Sequence, residues 1–168
     1  METEHGKMSS LDQAECLRVL ENSPIGHLGC FSHKEVYVVP ITYVIDYPYI
    51  YSHSSNGKKI ALMQKNPHVC LEVEEVHSLF EWKSVIAWGT FEQVKGEEAT
   101  KAMRLLIQRV VKMNGEEHLS PLTVDFAAML ETAVIYRIHI KKITGRYEGS
   151  LQNFGLDANH ERGTHDTF

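Results

Sequence analysis

Apolar and polar positions alternate with a period of two over much of the chain. Val134, Tyr136, Ile138 and Ile140 alternate with Arg137, His139 and Lys141, the pattern of a half-buried strand. Val69, Leu71 and Val73 alternate with Cys70, Glu72 and Glu74 in the same way. Ile25 to Phe31 predicts a first strand, and Ser32-His33-Lys34-Glu35 a polar hairpin connection. Val36 to Ile45 (VYVVPITYVI) is apolar at both parities, so this second strand is expected to be buried on both sides. Pro40 inside it cannot donate to a ladder and argues for a bulge or an edge. Asp46-Tyr47-Pro48 makes a turn, Tyr49 to Ser54 a short strand, and Ser84 to Val94 a long one with Trp88 and Gly89 at its middle.

Helical spacing is confined to short stretches. Leu11, Ala14, Leu17 and Leu20 share one face of a helix, with Ser10 as expected N-cap, Gln13 as its capping-box partner, and Asn22-Ser23-Pro24 as the stop. Residues 58–66 suit a second helix ending at Asn66-Pro67. Glu97 and Glu98 open a third, where acidic side chains favour the dipole, with Ala102, Leu105, Leu106 and Met113 as its core face. Residues 114–132 read as loop, with a helical turn around Asp125 to Leu130. The total is about six strands and two or three helices, joined mostly by hairpins. That predicts a mainly β (α+β) antiparallel barrel rather than a doubly wound sheet. One domain spans residues 1–150, and residues 151–168, poor in apolar positions, are expected to be a mobile tail.

Composition narrows the function classes. The 168 residues are 43% hydrophobic and 23% charged, and 17 basic against 22 acidic side chains give −5, which points to neither nucleic acid nor an acidic membrane. No stretch approaches the roughly 18–20 apolar residues of a membrane span. METEHGKMSS lacks the apolar run of a signal peptide, and a cytoplasmic protein is expected. Cys16, Cys30 and Cys70 have no CxxC spacing and read as small, reduced hydrophobes. The ten histidines are scattered without HExxH or i, i+4 spacing, and His160 and His165 fall in the polar tail, so no metal site is expected.

The informative stretch is YSHSSNGKK, Tyr51 to Lys59, between a strand and a helix. Ser52, Ser54 and Ser55 offer hydroxyls, Gly57 offers a tight turn, and Lys58 and Lys59 put positive charge where free N–H groups favour an anion. That suits a phosphate monoester; the competing reading is a solvated turn. It is not a P-loop, because GxxxxGK[ST] is missing. The preceding strand, with Val38, Val39, Pro40, Ile41, Thr42 and Tyr43, offers amides and apolar side chains to a flat ring.

PIGHLGCF, VVPITYV, YIYSHSSNGKKIALMQKNPHVCLEVEE and WKSVIAWGTFEQV, in that order, resemble the pyridoxamine 5′-phosphate oxidase-like superfamily, and within it the nitroimidazole-resistance-like branch. The resemblance covers about residues 10–145 and rests on the ordered series, not on one motif. It implies a six-stranded split β-barrel, a homodimer, and FMN at the dimer interface. By position, Val38, Pro40, Ile41, Thr42 and Tyr43 would line the flavin ring, and Ser52, His53 and Ser54 would follow the ribityl chain and phosphate. Lys58 and Lys59 would grip the phosphate, and Ser84 would approach the flavin from the next long strand. His53, otherwise an ordinary structural histidine, would face the flavin cavity and act on substrate or flavin. Trp82 and Trp88 either cover the ring or fill the core, with core favoured for Trp88, while Arg137 and His139 are read as solvated or at a dimer seam. The implied activity is electron transfer from NADH or NADPH through FMN to a small acceptor, a nitro compound being one example. The alternative is a flavin- or haem-binding storage or sensor module. The chain ends ERGTHDTF and lacks the Arg- and Pro-containing signature of authentic pyridoxamine phosphate oxidases, which argues against that activity.

Overall fold

The computed structural model describes residues 8–33, 35–114 and 131–154. In chain order these form β1 (Ser9–Leu11), α1 (Gln13–Asn22), β2 (Gly26–Ser32), β3 (Glu35–Ile41), β4 (Val44–Asp46), β5 (Tyr49–Ser54), α2 (Lys58–Lys65), β6 (His68–Ser78), β7 (Glu81–Gln93), α3 (Gly96–Asn114), β8 (Val134–Glu148) and a 3-10 turn at Leu151–Phe154. The strands join in the order β3-β2-β6-β7-β8-β5-β4, with β1 added on β8, and every pairing is antiparallel. β3 and β4 stand at opposite ends of that order, yet only Thr42 and Tyr43 connect them. A link so short forces the sheet to curl until its two ends meet, which makes a barrel with an unpaired split beside β3 and β4. The Ser52 hydroxyl spans this region, donating 2.8 Å to the Thr42 carbonyl.

The expected fold class holds, and the structure adds two short strands to the six. One is β1: Ser10 lies opposite Arg146 in a ladder instead of capping a helix. Asp12 caps α1, accepting from the Glu15 N–H at 2.7 Å while the Glu15 carboxylate accepts from the Asp12 N–H at 2.9 Å. A carboxylate at the N-cap with Glu three residues on satisfies two orphan donors, and the helix starts there. The other is β4, split from β3 at Thr42-Tyr43.

β3 is not buried on both faces. It pairs only with β2, and Val36 and Val38 are 71% and 58% exposed. An apolar strand with an uncovered face has the same sequence pattern as a buried one. Pro40 does fall on a sheet edge.

Two clusters hold the fold. Leu28, Ile50, Ile60, Leu71, Val85 and Ile138 fill the barrel, while Tyr51, Ala102, Met103, Leu106 and Ile135 fix α3 to the outside of β5 and β8. Each large apolar side chain so buried contributes roughly 1.5–3 kcal/mol before entropy is counted. Leu105 is half-buried and Met113 exposed, so the core face of α3 is narrower at its end than the sequence suggests. Trp88 is 36% exposed on the outer sheet face rather than in the core, with the Lys142 ammonium 5.2 Å from its ring. Cys16 and Cys30 are buried, Cys70 is half-buried, and burial pushes all three free thiols up. Beyond β8, Leu151 packs on the barrel and the Phe154 ring lies 3.9 Å from the buried Lys83 ammonium. The expected turn at Asp125 to Leu130, and His160 and His165, lie outside the described residues. No helix among the described residues is long and apolar enough to cross a membrane.

Candidate functional site

α2 begins directly after the turn that follows β5. Its N-cap, Gly57, is fully extended (φ −164°, ψ −167°), and no side chain caps the helix. A Cβ at Gly57 would meet only the Ser55 carbonyl oxygen, at 3.9 Å, so the turn does not demand glycine. What Gly57 contributes is an open approach to the helix's unpaired N–H groups.

The two lysines that follow differ. Lys58 is exposed, paired with the Glu35 carboxylate, and 5.0 Å from the Tyr37 ring. Lys59 is half-buried and forms no ion pair among the described residues. Burial holds its pKa below the ordinary lysine value. An uncompensated, partly desolvated ammonium beside an uncapped helix start favours an anion.

Near it, Ser52 is buried and donates to Thr42, and the Ser54 hydroxyl donates 2.8 Å to the Ser55 carbonyl. His53 is half-buried, and its Nδ1 is buried with no hydrogen-bond partner. Burial first, and the Lys59 charge second, hold its pKa below 6.5, so the imidazole is neutral at neutral pH.

The strand expected to meet a ring divides by face. Val38, Pro40 and Thr42 are exposed, whereas Ile41 and Tyr43 point into the core. The Tyr43 hydroxyl donates 2.6 Å to the Leu20 carbonyl, and burial pushes its pKa up. Ser84 is not brought to the same place. It sits on β7, and its hydroxyl donates 2.8 Å to Glu72, whose other oxygen is 3.6 Å from His27 Nδ1. Trp82 is half-buried and donates through Nε1 to Glu148 at 3.1 Å.

His53 opens into a cavity of about 470 Å³ that the sequence did not reveal. Pro24 and Ile25 form one wall, Thr42 and Tyr43 a second, and one side of α3 the third. Met103, Leu106, Ile107 and Val110 supply that side at i, i+3, i+4 and i+7 spacing. Among the described residues, no carboxylate lines the cavity. Arg109 does: its Nη groups donate to the Glu21 and Ser23 carbonyls, and its guanidinium stands 5.0 Å from the Tyr43 ring. The Arg109 Nε is buried without a partner. Arg109 thus ties α3 to the end of α1, where a cation suits the helix dipole. The legible signal was the width of α3's apolar stripe, which exceeds one packing face.

Arg137 is not merely solvated. It pairs with Glu92 at 2.8 Å and Glu98 at 3.2 Å, lies 4.3 Å from the Tyr49 ring, and its Glu98 partner accepts from the Tyr51 hydroxyl. His139 is half-buried beside Tyr49, and Lys141 donates to its Nδ1 at 2.9 Å.

The family model for pyridoxamine 5′-phosphate oxidase matches residues 12–147. The chain belongs to the pyridoxamine 5′-phosphate oxidase family. Its fold is similar to that of an FAD-binding protein from Mesorhizobium loti, at 30% identity and a TM-score of 0.67, covering 84% of this chain and 99% of that one. A protein proposed for 5-nitroimidazole antibiotic resistance, from Bacteroides thetaiotaomicron, has the same TM-score at 18% identity, covering 85% and 90%. An uncharacterised protein from Rhizobium meliloti is 30% identical over 95 residues, which are 56% of this chain and 63% of that relative. The family match runs from the start of α1 into the last residues of β8, so it takes in the turn before α2, the cavity wall on α3 and Ser84.

Proposed function

We propose that the chain is an FMN-dependent oxidoreductase that passes electrons from NADH or NADPH to a small acceptor, nitro compounds among them. The observation that carries this reading is Lys59, a half-buried ammonium at the uncapped start of α2 with no carboxylate partner among the described residues. FMN's phosphate monoester is the group those donors fit. The FAD-binding relative and the family supply the flavin class. Bound flavin supplies hydride acceptance and electron donation.

The chain's own residues do the rest. Lys59 and the first N–H groups of α2 hold the phosphate. The free edge of β3, from Val38 to Ile41, and the Thr42 that follows it offer backbone groups to the polar rim of a ring. His53, neutral and lining the cavity, holds a hydrogen bond to an acceptor oxygen there. Outward-facing Val38 aligns with Gly29, Cys70 and Trp88 across the sheet, and Phe31 with Val36. This apolar strip supports a homodimer, and Ser84, on the same outer face, would then meet the second copy. Three unpaired thiols suit the reducing cytoplasm.

Pyridoxamine phosphate is a poor candidate substrate. Arg109 is the only cation lining the cavity among the described residues, so its single charge would leave a second phosphate dianion partly uncompensated, at a cost of several kcal/mol. Titration with FMN, FAD and riboflavin, followed by stopped-flow reduction with each nicotinamide, tests the proposal. Tight FMN binding, reduction by NADH or NADPH, and faster reoxidation by a nitroaromatic than aerobic turnover of pyridoxamine phosphate are expected. Efficient pyridoxal phosphate formation overturns the acceptor assignment. A bound flavin that neither nicotinamide reduces leaves the storage or sensor reading.

A further inference from the structure

The 470 Å³ cavity has apolar walls, His53 and Arg109 in its lining, and no carboxylate among the described residues that line it. His53 Nδ1 and Arg109 Nε are both buried and unpaired, and leaving such groups dry is costly. Arg109 lines the cavity and, among the described residues, donates only to main-chain carbonyls and pairs with no carboxylate. Lys59 adds a second uncompensated charge close enough to act on His53. A cavity of this kind complements a molecule with an apolar body and one compact negative head. Arg109 spends only two of its five N–H groups on those carbonyls, and a planar guanidinium with N–H groups to spare matches the two oxygens of a carboxylate.

We infer that this cavity is a subsite for a small, apolar-bodied organic monocarboxylate, its head held by Arg109 and His53 and its body lying against Ile25, Leu106, Ile107 and Val110. The subsite stands on the cavity alone; calling its ligand the electron acceptor rests on the flavin reading. A nitro group has the same two-oxygen shape, which is why one pocket serves both heads.

The probes are 3-phenylpropionate and its neutral amide, titrated calorimetrically into flavin-free and FMN-loaded protein. The acid should bind both forms, at least about tenfold tighter than the amide, because its contacts are charge-assisted. Arg109→Gln should bring the acid down to the amide's affinity. Arg109 also anchors α1, so Ile107→Trp provides a second variant: it fills the cavity, leaves both cations in place, and should abolish binding of the acid and the amide. Circular dichroism establishes that each variant is folded. Equal affinities for acid and amide overturn the inference, as does undiminished binding by Ile107→Trp. Loss of the acid on FMN loading also overturns it, since the cavity would then be the flavin's own. Acid binding with the expected preference in a protein that fails to bind FMN overturns the flavin reading and leaves the subsite standing.

Discussion

At the scale of single residues, neighbouring lysines have different tasks. Lys58 has its charge satisfied by Glu35 in water, where such pairs contribute little, whereas Lys59 is partly desolvated and meets no acid among the described residues. Charge-assisted hydrogen bonds of roughly 1.5–3 kcal/mol correspond to about ten- to hundredfold in affinity. Lys59→Ala should therefore weaken FMN by roughly that factor and leave riboflavin nearly unchanged, while Lys58→Ala should cost less than about threefold. Fluorescence titration of the four combinations decides it, and equal losses of FMN and riboflavin would assign Lys59 to the fold. The sequence made both lysines visible. It could not divide them, because the partner that occupies Lys58 comes from β3 and is placed there only by the barrel.

His53 carries a second residue-scale consequence. Its folded pKa lies below the ordinary 6.5, so between those two values the unfolded chain binds the extra proton. Stability on account of His53 is present above 6.5 and is lost as pH falls from there toward the folded value. Flavin-free protein and His53→Gln should therefore diverge on acidification, with the melting temperature of the native chain falling further between pH 7.5 and about pH 5. Identical pH dependences would mean that Nδ1 finds a partner in solution.

At the scale of elements, the alternation of apolar positions located β6 and β8, because a side-chain period of two is the physical content of a half-wet sheet. It also faces Lys83, on β7, into the core with Val85 and Ala87, which the sequence reading overlooked by starting that strand at Ser84. The outer face of β3 was not legible, since no pattern separates an apolar face covered by this chain from one left open. The cavity was legible only as the width of α3's apolar stripe: closing it needs α3, the end of α1 and β5 to meet, and only the fold specifies that. Gly89 is a case where the sequence placed the residue and the structure supplies the reason. β7 and β8 shift register between Trp88 and Gly89, and a Cβ on Gly89 would stand 2.5 Å from the His139 carbonyl oxygen and 2.5 Å from Ile138 Cγ2. A main-chain oxygen cannot swing aside as a side-chain tip can. Gly89→Ala should destabilise the protein by about 1–3 kcal/mol, at roughly 2–4 °C in melting temperature per kcal/mol. An unchanged melting temperature would mean the bulge can absorb a methyl group.

At the scale of the whole molecule, the barrel leaves one apolar sheet face uncovered. Val36, Val38 and Phe31 are exposed on adjacent strands, and Trp88 continues the strip across Gly29 and Cys70. β3 also exposes an unpaired backbone edge, the feature single chains normally cover or charge. A second copy laid on this face would bury the strip, shield the edge and bring Ser84 toward the partner's phosphate-type turn, so assembly and flavin binding would rise together. Ligand held only by the dimer stabilises it by mass action. The expected species is therefore a homodimer of about twice the 19.2 kDa chain mass, more heat-resistant with FMN added. Val38→Glu isolates the effect, because a substitution at a position 58% exposed should change the folded monomer by no more than about 0.5 kcal/mol. In the dimer the same carboxylate would be buried without a partner, at a cost of several kcal/mol. Light scattering on the eluted protein should show the variant as a monomer with native circular dichroism, and its FMN affinity should fall with the dimer. A Val38→Glu monomer that binds FMN as tightly as the native chain would place the whole flavin site within one barrel.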